Sequence, residues 1–120
     1  MELSYEGIGQ VAATFATQET EEAPLAIGHA VTLTAADTVG LGTAGGALCG
    51  VIAGLEKDQK AAVQVEGFVT VAYTGSAAPA VGWTGLAVDG AGGVQASSSG
   101  GRSCLVVRVD TAAKTAVIKL

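Results

Sequence analysis

Aromatic side chains, charge and histidine are all scarce in this chain, and each shortage removes a class of function. Aromatic residues make up 4% of the sequence, too few to line a concave pocket for a sugar or a drug-like ligand easily. Charged residues make up 14% and the net charge is −5. Lys57 and Lys60 sit beside Glu56 and Asp58, and Arg102, Arg108, Lys114 and Lys119 are scattered. Without a basic patch, direct binding to nucleic acid or to an anionic membrane is not expected. His29 is the only histidine. With Cys49 and Cys104 it supplies too few soft ligands for a closed zinc site, and no CxxC or HxxxH spacing occurs. A Gly-x-Ser-x-Gly elbow is missing, as is the Gly-Lys-Ser/Thr of a phosphate loop. Gly90-Ala-Gly-Gly93 follows a strand but no helix follows it, so a dinucleotide fingerprint fails on context. The N-terminus lacks the basic and apolar regions of a signal peptide, and no apolar run approaches the roughly 20 residues of a membrane span. No enzyme, metal site or cofactor is expected.

What the chain does have is glycine, valine and a period of two. In residues 61–74 Val63, Val65, Val69, Val71 and Tyr73 fall on odd positions, and Gln64, Glu66 and Thr70 on even ones. That alternation predicts one long strand with a buried and a wet face. Gly67 falls on the buried side, where strands bend, bulge or close a barrel corner, and Phe68 stands on the polar side. A further strand is expected at 30–34, with Val31 and Leu33 inward, and a short strand or turn at 39–42. Leu48–Gly54 reads as a buried strand, Gly85–Asp89 and Val94–Ala96 as a hairpin, and 103–109 and 115–120 as the closing pair. Asp37, Asp58, Asp89 and Asp110 occupy turns. Cys49 and Cys104 lie in apolar segments and read as buried thiols. The fold expected is all-β, a small glycine-rich barrel or sandwich.

Residues 1–24 look different: a β-prone Val11–Thr17, then an acidic run and Pro24. They read as an extended arm joined to a body at 25–120. The strand either lies along a partner's sheet edge or pairs with its own domain. Trp83 is either the main core plug or an interface anchor, and Phe68 leans toward a contact with another subunit. A faint echo links the two halves: Val31–Val39 running on to Cys49–Ile52 parallels Gly85–Val94 running on to Cys104–Val107.

The string Ala62-Val-Gln-Val-Glu-Gly-Phe-Val-Thr-Val-Ala-Tyr-Thr-Gly75 resembles tailed-phage capsid decoration, or cement, proteins. Gly82–Val94 and Leu105–Ile118 share the likeness, which covers about residues 27–120. The resemblance implies a β-tulip-like body, commonly a homotrimer, docked on the outside of the phage head. There it would staple neighbouring major capsid subunits, after being made in the host cytoplasm. By that analogy Val11, Thr14, Phe15 and Thr17 would form the capsid-binding strand with Phe15 as anchor, and Phe68 and Trp83 would meet a subunit or the capsid. A fibre, adhesin or ligand-binding module on a virion or cell surface is the alternative expectation.

Overall fold

The computed structural model describes residues 10–18, 24–74, 78–97 and 101–120. Among them the chain forms β1 (Val11–Thr17), β2 (Ala30–Ala35), β3 (Thr38–Gly40), β4 (Gly50–Glu56), β5 (Lys60–Glu66), β6 (Phe68–Ala72), β7 (Gly82–Val88), β8 (Val94–Ala96), β9 (Arg102–Asp110) and β10 (Thr115–Lys119). The first five strands close into a barrel in the order β1-β3-β2-β4-β5, and the last five make a sheet in the order β6-β10-β9-β7-β8. The protein is all-β.

Residues 61–74 form two strands where the alternation predicts one. Gly67 has φ 102°, a backbone state that costs an L side chain about 1–2 kcal/mol and glycine almost nothing. At this corner the chain leaves the barrel and enters the second sheet. The parity survives the turn but serves two cores. Val63 and Val65 face the barrel core with Val31, Val39 and Ile52. Val69, Val71 and Tyr73 belong to a second core with Leu86, Val106 and Ile118. Gln64, expected in water, is only 5% exposed. Its Nε2 donates to the carbonyls of Glu66 (3.1 Å) and Phe68 (3.2 Å), which ties the two sides of the corner together.

Strands β2 and β4 lie between the cores, so both their faces are apolar. Ala30 and Val51 feed the second core, whereas Val31 and Ile52 feed the barrel. This is why Leu48–Ile52 reads as a continuous apolar run. Each fully buried valine or isoleucine here contributes about 1.5–3 kcal/mol relative to exposure. Leu33 departs from its expected inward position and is 55% exposed. Strand β4 registers only with Ala30 and Val31. Beyond Thr32, the ladder partner of β2 among the described residues is the three-residue β3.

Of the expected arm, residues 1–9 and 19–23 lie outside the described residues, and its strand β1 is part of the barrel. β1 pairs antiparallel with β5 from Val11↔Glu66 to Ala16↔Lys60, and parallel with β3 at Ala16 and Thr17. Gly67 lies where the chain passes from one sheet to the other. Phe15 packs half-buried on the barrel core, because it stands directly opposite the buried Ala61 of β5.

The echo between the halves is a repeat of topology. Read round the closed barrel in the other direction, as β1-β5-β4-β2-β3, the first order becomes the second when five is added to each strand number. Many of the pairings correspond: Phe15↔Ala61 with Val71↔Ala116, Ala13↔Val63 with Val69↔Ile118, and Ile52↔Val63 with Val106↔Ile118. Val31↔Gly50 corresponds to Thr84↔Cys104. Even the parallel closure recurs, as Thr17↔Val39 and as the lone bridge Tyr73↔Val94. The match sets Gly50, not Cys49, against Cys104. Aligning the cysteines instead would turn every side chain to the wrong face.

Candidate functional site: an exposed aromatic row

Phe68, Lys119, Leu105 and Trp83 are consecutive partners across β6, β10, β9 and β7. Directly opposed residues of antiparallel strands share a face, so the four form one row on the outer face of the second sheet. The inner face is fixed by Val71, Ile118, Val106 and Leu86, all of them buried. Trp83 is 68% exposed, so the core-plug reading of this residue fails. It is held at the surface because its neighbours Thr84 and Leu86 take the inward positions of β7. Gly82 turns the chain with φ 110°, and the Thr84 hydroxyl donates to the Ala80 carbonyl (2.8 Å), which fixes the approach to the strand. Val81, just before it, is 69% exposed. Phe68 and Leu105 are half-buried and Lys119 is exposed. The sole tryptophan thus stands in water beside apolar neighbours and a cation, the composition of an interaction surface.

The strand expected to dock on a partner contributes differently. Val11 is 48% exposed and Thr14 is exposed, whereas Phe15 and Thr17 are half-buried. The Thr17 amide donates to Gln59 and the Ala16 amide to Asp37. Phe15 packs partly buried against the barrel core. β3 registers only with Ala16 and Thr17, so no ladder partner flanks Val11–Thr14 on that side among the described residues.

The remaining polar side chains hold the fold. Asp89 Oδ1 accepts from the amides of Ala91 (2.7 Å) and Gly93 (2.9 Å), and Asp110 Oδ1 from those of Ala112 and Ala113. Asp37 and Asp58 adopt φ 57° and 62° in tight turns, as their positions in the sequence suggest. His29 Nδ1 accepts from the Ala26 amide at 3.2 Å, and its ring lies where a Cβ on Gly92 would stand. Among the described residues no group of three His, Cys, Asp or Glu could hold a metal ion.

Arg102, one of the scattered basic residues, begins β9. Its guanidinium donates to the Cys49 carbonyl (2.9 Å) and to the Val65 carbonyl (3.0 Å), so it clamps the second sheet to the barrel. A long side chain that finds two carbonyls far away in sequence leaves no local signature. Cys49 and Cys104 are free thiols. Burial pushes both above the ordinary thiol value, and the nearby Arg102 charge offsets this in part. Such thiols are poor nucleophiles at neutral pH. No protein-family model matches the chain, and no curated protein or solved structure matches it.

Proposed function

We propose that this chain is a structural protein of a tailed-phage head, a decoration or cement protein that binds the outer surface of the expanded head and staples major capsid subunits. The observation that supports the reading is the row Phe68–Lys119–Leu105–Trp83, in which an exposed tryptophan stands in line with two half-buried apolar side chains and a lysine. Its chemistry suits contact between proteins, where exposed tryptophans concentrate binding energy. The capsid itself comes from the sequence resemblance, which covers about residues 27–120. On this reading the protein acts without catalysis, cofactor or metal, and its affinity is multiplied by repeated contacts on a symmetric shell.

The test is cosedimentation of the full chain with purified expanded heads, followed by imaging of the head surface. Stoichiometric, saturable pelleting with density on the exterior supports the reading. Protein left in the supernatant at every head concentration overturns it. The tandem repeat of one five-strand unit favours a second reading, a segment of a surface fibre or adhesin, because such units stack end to end. Binding to cell envelopes but not to heads would decide for that alternative.

A further inference from the structure

Leu33 keeps the inward parity of Val31 on β2 and stands directly opposite Val39, yet it is 55% exposed where both of those are at 0%. The cause is a split between strands. β4 follows β2 only at Ala30 and Val31. The chain just before β4 runs along the second sheet instead, where Ala47 bridges Ala87 and the Gly46 carbonyl accepts from the Val88 amide. A groove of about 470 Å³ opens in this fork, lined by Thr32, Leu33, Ala47, Leu48, Cys49 and Arg102. The Val31 carbonyl accepts from the Cys49 amide, and alternation along β2 turns the main-chain groups of Leu33 to the same side. The fork therefore offers an apolar floor, a strand edge and a cation. Both acceptors of the Arg102 guanidinium are neutral carbonyls, and among the described residues no carboxylate pairs with it.

The N-terminal segment joins the barrel beside this groove. Val11 pairs with Glu66, and the register shift after it leaves Val65 out of the β1 ladder. The Val65 carbonyl instead takes the Arg102 guanidinium at 3.0 Å. With opposed strands about 5 Å apart, the chain enters β1 on the order of 10 Å from that cation. Residues 1–9 span up to about 30 Å when extended, so they reach it. Their sequence alternates as a strand does, with Leu3 and Tyr5 apolar and Glu2, Ser4 and Glu6 polar. Glu6 lies four residues before Gln10, about 13 Å of extended chain, which brings its carboxylate within reach of Arg102. We infer that residues 2–6 seat in the groove of their own chain, with Glu6 on the Arg102 guanidinium and Leu3 and Tyr5 over Leu33, Leu48 and Cys49. Such a clasp covers a small part of the apolar surface, so access to the groove depends on it far more than the global melt does. The inference does not depend on the capsid reading, and its test uses the free protein without heads.

The experiment uses Cys49 as a reporter in the full chain. Alkylation by iodoacetamide is followed by peptide mapping, which separates Cys49 from Cys104. Leu3→Asp should speed the labelling of Cys49 about tenfold, the factor that one buried apolar side chain supplies. Glu6→Gln should speed it about threefold, as expected of one partly exposed ion pair. Leu33→Asp should act like Leu3→Asp from the groove side, at a position already exposed, and thermal melts confirm that each variant is folded. A second readout traps the contact. In a Cys104→Ser background under mild oxidation, Leu3→Cys should form a disulfide with Cys49 within one chain. It should do so about tenfold faster than Ser4→Cys, which lies on the opposite face of the segment. Equal rates for these two, or labelling that none of the three earlier variants changes, overturn the inference. So do disulfide-linked dimers in place of the monomer, because the groove then takes the segment of a second copy.

Discussion

The side-chain amide of Gln64 bonds to the carbonyl of Phe68 across Gly67, so the residue before the corner holds the residue after it. Replacing Gln64 with Met keeps the volume but removes the donor and leaves the carbonyls of Glu66 and Phe68 without it. A loss of about 1–3 kcal/mol is expected, read from urea denaturation. Gly67→Ala should cost a comparable amount through its positive φ alone. Wild-type stability of both variants would show that the corner is not under the strain described.

Arg102 offers a sharper comparison. Its two carbonyl acceptors, Cys49 and Val65, lie on different segments of the barrel. Lysine has a single ammonium and cannot reproduce the fork. Arg102→Lys and Arg102→Ala should therefore both lower the melting midpoint, with lysine recovering less than half of the alanine loss. Full rescue by lysine would mean that charge, and not geometry, matters there.

The thiols give a pH dependence with a defined sign. Burial raises Cys49 and Cys104 above the ordinary value of 9.0. The unfolded chain therefore loses these protons at lower pH than the folded one does. Their contribution to stability is complete below the ordinary thiol value and disappears as pH rises through the raised folded values. Denaturation midpoints should fall on the alkaline side, and Cys49→Ser combined with Cys104→Ser should flatten that limb. An alkaline limb that the double variant leaves unchanged would assign it to other groups.

Truncation separates the N-terminal segment from the barrel strand that follows it. Removing residues 1–9 should leave the circular dichroism melt near that of the full chain, because β1 is intact. Removing residues 1–20 takes away the strand that pairs with β5 and the Phe15 side chain on the barrel core. That loss should amount to several kcal/mol, in the range of a large core truncation. A cooperative melt at the original temperature after the longer deletion would restore the idea of a dispensable arm.

Much of the fold was legible in the sequence because β-structure writes its period directly into the chain. The alternation at 61–74 located β5 and β6, and Gly67 was flagged as a corner. That the corner leads into a different sheet was not readable, since valines facing either core look the same. Gln64 misled for a related reason: its polarity pointed to water, while its amide was needed by two carbonyls. Phe68 and Trp83 were singled out as isolated aromatics. Their shared row depends on the order β6-β10-β9-β7, which brings together strands distant in sequence. Arg102 was invisible for the same reason.

The repeated topology also bears on how the chain reaches its fold. Every strand of one half has a counterpart whose neighbours would accept it in nearly the same register, so incorrect pairing between halves competes with correct pairing during folding. The hairpins differ in a way that opposes this. β2 and β3 are joined by Ala36 and Asp37 alone, whereas β7 and β8 are joined by Asp89–Gly93. The shorter connection closes first and commits its strands locally, which sets an order of assembly in which the barrel is available as a template before the second sheet is complete. Slow refolding phases should therefore report on the second half.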